Sequence, residues 1–519
     1  MNLLQPIFDQ VDRSPDRVAI SCSQEQLTYV QLKQRVSTVA NGLRQYGVRR
    51  ARVAILSVNR IEFVEVFLGA IQAGCVPVLL DPTWNDVQLN AMLRHCQAQV
   101  LFVEQRHVHR VSAECSQIGQ IVFQEQHFQG QHRELDAIHP CDTLAEEQRN
   151  RSTTLYEQWM NLLEPEAAVQ DNNELLFVGY TSGTTGMPKG YMRTHASWLA
   201  SFEATAEAFQ LHEMKQVVAP GPFVHSLSLF ALVQSLYSGA TFHIVHRFDA
   251  AEVLQLCTHY PEMILFVVPT MIDALSQQAI PGETRVQALI SSGGKWTERS
   301  RLHCKTVFPE AKLYEYYGSS EASYISYMDV YEEKGADALG RPFHGVDISI
   351  RDDEFREVPV NTVGQLYLRS GMMFCGYDQL PEATAAVFRD GWLKVGDFVY
   401  LDEEGYLHLA GRSSHMIKTG GLKVFPEEVE AVLQGIPTIQ KVMVMGVPDD
   451  RWGEKVAALV QWTEGQRCTA EELRAYCRLH LPDYKVPKDY ITVEQFLYTG
   501  SGKIARHAME VSVKTQLHK

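Results

Sequence analysis

Tyr180-Thr-Ser-Gly-Thr-Thr-Gly-Met-Pro-Lys-Gly190 is the stretch on which the reading of this chain turns. It follows the apolar run Leu175 to Val178, which has strand character, so a strand delivers a loop dense in glycine and hydroxyl groups. The backbone N–H groups, the hydroxyls of Thr181, Ser182, Thr184 and Thr185, and the ammonium of Lys189 can all face one anion. Gly183 and Gly186 keep bulky side chains out of its way. A polyphosphate suits such a loop. It is not a Walker A loop, because Lys189 follows a proline and no Ser or Thr follows the lysine. A plain surface turn needs one or two glycines, not this density of hydroxyls with a lysine.

Upstream, Val30–Tyr46 has helical spacing, Arg52–Val58 reads as a strand, Glu62–Ala73 as a helix and Val76–Leu80 as a strand. That βαβ rhythm predicts a parallel sheet covered by helices. Residues 127–173 are polar and read as a connection with one embedded helix; strand-like runs resume at Phe242–Val245, Ile264–Val268 and Ala288–Ser291. After about residue 410 the character changes to a compact α+β unit. It comprises a helix at Glu427–Leu433, strands at Lys441–Val447 and Ala457–Trp462, and a helix at Ala470–Leu481, and it is joined through Gly411-Arg412-Ser413-Ser414. The expected fold class is α/β: a large N-terminal domain, residues 1–411, of parallel-rich sheets with flanking helices, plus a small mobile α+β C-terminal domain, residues 412–519. A chain of 519 residues is too long for one ordinary core.

Composition narrows the function. Hydrophobic residues at 45% and charged residues at 21% are the balance of a soluble globular protein. A net charge of −15 argues against a nucleic-acid partner, since no excess of Lys and Arg is present to neutralise phosphates. The N-terminus carries acidic residues where a signal peptide needs basic ones. No apolar run approaches the roughly 20 residues of a membrane span. The ten cysteines are scattered without CxxC spacing, so neither a metal cluster nor a disulfide framework is expected and a cytoplasmic location follows.

From the loop outward the sequence resembles the adenylate-forming enzymes, the family of acyl-CoA synthetases, firefly luciferase and peptide-synthetase adenylation domains. Residues 181–190 are similar to that family's phosphate loop nearly letter for letter. Tyr317-Gly-Ser-Ser-Glu321 resembles its YGxTE, and Gly391-Trp-Leu-Lys-Val-Gly-Asp397 its WxxTGD with Val395 in place of threonine. Gly411-Arg412 through Lys418, Gly421 and Pro426–Glu430 is similar to its domain-junction motif, and Thr499-Gly-Ser-Gly-Lys503 to its C-terminal one. The order of these motifs covers most of the chain and is more specific than any one of them.

The resemblance implies ATP, Mg²⁺ and coenzyme A as cofactors and a small-molecule carboxylic acid as substrate. Glu321 would hold Mg²⁺ against the ATP phosphates, as a carboxylate suits a hard cation. Ser320 would contact the α-phosphate, and Tyr317 would cover the adenine with Tyr316 and Gly318 beside it. Asp397 would accept hydrogen bonds from the ribose, with Arg412 meeting it from the other side. Lys503 would stand between the attacking carboxylate and the phosphate, offsetting the repulsion of two anions. Gly420 and Gly421 would let pantetheine pass close to the backbone, with Lys418 and Lys423 flanking them and Lys423 meeting a phosphate. The family's hinge position, commonly Asp or Lys, is Ser414 here, and His415 follows; Tyr498 stands where a basic residue is usual.

Gly221-Pro-Phe-Val-His-Ser-Leu-Ser-Leu-Phe230 lies where the family's acyl pocket begins. Val224 occupies the place of the aspartate that holds an α-ammonium in peptide-synthetase domains, which disfavours an amino-acid substrate. His225 reads equally as a gate near the carboxylate or as a satisfied core histidine. Ser292-Gly293-Gly294-Lys295-Trp296 resembles the SGGAP segment beside the adenine and acyl pockets, with Lys295 read as solvated. A hydrophobic aliphatic or aryl acid and a coenzyme A acceptor are expected, with a separate carrier protein as the alternative acceptor and a homodimer compatible with both. A non-catalytic nucleotide-binding relative is the rival reading. Keeping Lys189, Glu321, Asp397, Arg412 and Lys503 together argues against it.

Overall fold

The structure, a computed structural model, describes residues 2–115, 117–124, 153–165, 173–181, 187–296, 298–332, 334–335, 337–412, 415–420, 422–449, 451–499 and 504–517. Among these residues three sheets form the frame. The first has the strand order Gly376–Tyr377, Lys189–Thr194, Leu175–Thr181, Val76–Leu80, Arg52–Leu56, Val100–Glu104, Gly119–Phe123 and Thr153–Leu155. From Leu175–Thr181 to the Thr153 edge every pairing is parallel. Leu175–Thr181 and Lys189–Thr194, which flank the glycine-rich stretch in sequence, form an antiparallel pair.

The second sheet runs parallel from Val18–Cys22 through Thr241–Ile244, Gln216–Val218, Met263–Val267 and Val286–Ser291 to Lys312–Ser319. It then continues antiparallel through Ser323–Asp329, Ala338–Pro342, Leu407–Arg412, Trp392–Leu401 and Gly364–Ser370 to Val346–Arg351. The expected βαβ rhythm thus holds in the first sheet and half of the second. The antiparallel half was not foreseen.

Helices fill the space between these two sheets. Every residue of Ile61–Gln72 is buried, its apolar residues in the core, Glu65 answered by Arg35 and the Tyr156 hydroxyl, and Glu62 by Arg60. One hydrophobic cluster joins Phe102 and Phe177 of the first sheet to Phe242 and Ile290 of the second through Phe63, Phe67, Phe202 and Phe230 on helices. Each such side chain contributes roughly 1.5–3 kcal/mol by burial. Local signals set the helix starts. Thr28 accepts the Gln31 N–H at 3.3 Å and the Gln31 side chain returns to the Thr28 N–H at 2.9 Å, a capping box ahead of Tyr29–Gln45.

The third sheet has five strands: Leu422–Val424, Ile417–Thr419, Gly453–Trp462, Ile439–Asp449 and Asp489–Thr492. Its alternation is period two: Val442 and Val444 face one cluster with Val429, Leu433 and Leu473, while Met443 and Met445 face another with Phe496 and Met509. Leu407–Arg412 still belongs to the second sheet, and the third begins at Ile417. In the polar connection the described helix is Tyr156–Asn161; residues 125–152 and 166–172 lie outside the described residues. No described helix is long and apolar enough to cross a membrane.

Candidate active site

A cavity of about 860 Å³ opens where the first two sheets and the C-terminal unit meet. Thr181 lines it at the end of its strand, and Pro188 lines it on the far side of the loop. Lys189 begins the return strand with its Nζ 5.3 Å from the centre of the Tyr377 ring. Ser182, Gly183, Thr184, Thr185 and Gly186 lie outside the described residues.

The hairpin between Lys312–Ser319 and Ser323–Asp329 presents Ser320 and Glu321 to the cavity. Gly318 permits its tight close: a Cβ there would sit 2.1 Å from the Ser323 carbonyl oxygen. Ser319 Oγ accepts the Ala322 N–H at 3.0 Å and steadies the turn. Tyr377 donates its hydroxyl to Glu321 Oε1 at 2.9 Å, leaving the other carboxylate oxygen of Glu321 without a described partner. Among the described residues no group of three or more His, Cys, Asp or Glu is placed to hold a metal ion. One carboxylate beside a phosphate site is nevertheless what Mg²⁺ uses, since it is bound through one or two carboxylates plus substrate phosphates and water. Glu321 fits that demand.

Asp397 stands opposite Arg412 in the register of their two strands. Arg412 Nε is 3.2 Å from Asp397 Oδ1, and the Tyr317 hydroxyl donates to Asp397 Oδ2. Asp397 is only 5% exposed, and burial raises its carboxyl above the usual range against the pull of Arg412. Both line the cavity, and so do Tyr316, Gly318, Ser292 and Gly293. Tyr317 does not contribute to that wall; its hydroxyl is committed to Asp397. Gly294 lies behind Gly293, with Pro269 Cγ 3.6 Å from where its Cβ would be. The solvated reading of Lys295 is corrected: its Nζ donates to Glu315 Oε2 at 2.9 Å, because a carboxylate as buried as Glu315 demands a cation.

His225 lines the cavity beside Val224, its Nε2 4.0 Å from Asp81 Oδ2, so it is a wall residue rather than a core one. The far end is aromatic. Phe177 and Trp198 have ring centres 5.1 Å apart, Trp198 and Phe230 5.5 Å, and Phe230 and Tyr324 4.9 Å. Thr499, from the C-terminal unit, closes part of the rim. Lys503, like Ser414 and Gly421, lies outside the described residues. Lys418 stands in the third sheet and Gly420 in the turn that follows its strand, and neither lines the cavity. Gly420 has φ +57° and a Cβ there would come 2.8 Å from the Trp452 ring. Lys423 is on the neighbouring strand, with its side chain outside the described residues. His415, after the hinge position, bonds Glu427 through Nδ1 to Oε1 at 2.7 Å.

Sequence reading missed Tyr377, Trp198, Phe177, Asp81 and Arg193. Tyr377 alone left a signal, an aromatic residue after glycine in Gly376-Tyr377.

The frame of sheets and this cavity define the fold of adenylate-forming enzymes. The chain belongs to the AMP-binding enzyme family: residues 7–378 match that family, and residues 428–503 match the AMP-binding enzyme C-terminal domain. It is 31% identical over 508 residues to the uncharacterized acyl-CoA ligase YhfT of Bacillus subtilis, spanning 98% of this chain and 97% of the relative. It is 29% identical to a long-chain-fatty-acid–CoA ligase of the same organism, spanning 98% and 94%. Its fold is similar to ATP-bound MatB from Rhodopseudomonas palustris, with a TM-score of 0.85 at 23% identity and 99% of each chain covered.

Proposed function

We propose that this chain is an AMP-forming acid–thiol ligase, which activates a carboxylic acid with ATP as the acyl-adenylate and passes the acyl group to coenzyme A. The observation that carries the reading is convergence: Thr181, Ser320, Glu321, Asp397, Arg412 and Thr499, far apart in sequence, line one cavity. Residues 1–411 form the large domain in this account and residues 412–519 the small one.

The nucleotide lies with its ribose on Asp397, whose buried carboxylate is held between Arg412 and the Tyr317 hydroxyl and so needs no reorientation to accept from a diol. Its phosphates face the 181–190 loop and the Ser320 hydroxyl. Mg²⁺, held by Glu321 and the phosphates, would neutralise charge on the transferring group. The acid occupies the aromatic end between Phe177, Trp198 and Phe230, with its carboxylate toward Ser320 and His225. That lining supports a hydrophobic aliphatic or aryl acid. Lys503, through its Gly-Ser-Gly-Lys motif, is assigned the offsetting of repulsion between carboxylate and α-phosphate. The carboxylate oxygen bonds to phosphorus as pyrophosphate leaves, and the thiol sulfur then bonds to the acyl carbon as AMP leaves. Holding the reactants in place supplies much of the rate. Gly420, beside Trp452, allows the pantetheine arm close to the backbone.

Incubating the chain with ATP, Mg²⁺, coenzyme A and a panel of aliphatic and aryl acids, with mass detection of products, tests this. AMP, pyrophosphate and one acyl-CoA in equal amounts are expected. ADP with phosphate, or AMP release independent of any acid, would contradict it.

A further inference from the structure

Arg193 lies in the strand Lys189–Thr194 and is 2% exposed. Its Nη1 donates to the Ser320 carbonyl at 3.1 Å, its Nη2 to the Met372 carbonyl at 2.7 Å, and its Nε to Ser197 Oγ at 3.3 Å. One guanidinium therefore ties together the strand that follows the glycine-rich loop, the turn carrying Ser320 and Glu321, and the segment leading to Tyr377. Among the described residues no carboxylate is in salt-bridge contact with it, although the Glu321 carboxylate acts on it at longer range. Burial lowers its pKa to about 10, so it remains charged at neutral pH. A buried cation is costly unless an anion answers it. Arg193 also lines the cavity, on the wall shared with Ser320 and Glu321.

We propose that Arg193 is a positioning residue for adenylation: it fixes the Ser319–Glu321 turn through the Ser320 carbonyl, and the phosphates entering the cavity answer a charge that no carboxylate contacts directly among the described residues. The inference rests on the proposed adenylation chemistry. Arginine suits the task because its planar fork holds two carbonyls at a fixed spacing, which a lysine ammonium cannot do. The three hydrogen bonds leave two of the five N–H groups without a partner among the described residues. Turn and charge are thus coupled: whatever draws the guanidinium toward the phosphates also sets the Ser320 and Glu321 side chains.

The test compares wild type, Arg193→Lys and Arg193→Met, each checked for native circular dichroism. Acid-dependent pyrophosphate exchange and calorimetric ATP affinity are measured for each. Arg193→Met is expected to lose about 10²–10³ in kcat, as for removal of one preorganised donor. Its ATP affinity should weaken about tenfold, a loss of about 1.4 kcal/mol, with KM for the acid unchanged. Arg193→Lys, keeping charge without the fork, is expected to recover ATP affinity but not the full kcat. A purely structural arginine would lower Tm while leaving kcat and ATP affinity per folded molecule at wild-type values, and that result would overturn the inference alone. Wild type without exchange under any acid would instead overturn the adenylation reading and this inference with it.

Discussion

Replacing Tyr317 with phenylalanine keeps the ring and deletes one hydrogen bond, the one its hydroxyl gives to Asp397 Oδ2. The acceptor is a carboxylate only 5% exposed, so water does not replace the lost donor. A hydrogen bond to a charged group contributes about 1.5–3 kcal/mol. The second partner of Asp397, Arg412, has a side chain 43% exposed at 3.2 Å, which places that ion pair in the range of about 0–1 kcal/mol. The tyrosine bond therefore dominates, and a double-mutant cycle isolates it. Tyr317→Phe is expected to cost about 1.5–3 kcal/mol in an otherwise wild-type chain. With Asp397→Ala already present it should cost less than about 0.5 kcal/mol, the scale of a neutral substitution. Urea unfolding followed by tryptophan fluorescence gives all four corners. Equal costs in the two backgrounds would refute the reasoning, since no coupling would then exist to be lost.

Further predictions follow from the same geometry. Because burial raises the Asp397 carboxyl above the usual range, ATP affinity should fall as pH drops through that raised value and the ribose acceptor protonates. Calorimetry across the acid range should show this edge, and Asp397→Asn should flatten it. The stability contribution has the opposite sign: folding raises this pKa, so ionising the buried group costs stability as pH rises through the same window. Lys503→Ala should nearly abolish adenylate formation while sparing thioester formation from preformed adenylate; equal loss in both steps would remove the residue from its assigned role. Arg506 holds both carboxylate oxygens of Glu430 at 2.6 to 2.7 Å, so Arg506→Met should destabilise the C-terminal unit by about 3–5 kcal/mol. Replacing Glu430 by Met as well should recover most of that loss by thermal unfolding, since no uncompensated carboxylate then stays behind.

What the sequence disclosed tracks the reach of the signals involved. The run Arg52–Leu80 was legible because its signals are local: Ile61–Gln72 is apolar apart from Glu62, Glu65 and Gln72, and the strands beside it are short, nearly continuous apolar runs. The compact α+β character after residue 410 was legible for the same reason. The antiparallel half of the second sheet was not, because its pairings join strands as distant as Ala338–Pro342 and Leu407–Arg412, and no local pattern records them. Asp397, Arg412, Ser320 and Glu321, singled out through the order of their motifs, line one cavity. Arg193 stayed hidden, and Tyr377 left only its place after Gly376, because what each touches, the Ser320 carbonyl and the Glu321 carboxylate, is set by the fold. Lys295 was misread for a related reason: the burial of its partner Glu315 is a tertiary fact.

Acid-dependent exchange of labelled pyrophosphate into ATP tests the central claim most directly, because it reports a reversible adenylate without requiring the thiol step. Exchange is expected with one class of hydrophobic aliphatic or aryl acid, dependent on Mg²⁺, absent with α-amino acids and lost in Lys503→Ala. Exchange that proceeds without any acid, or none across the whole panel while calorimetry shows ATP bound, would contradict it.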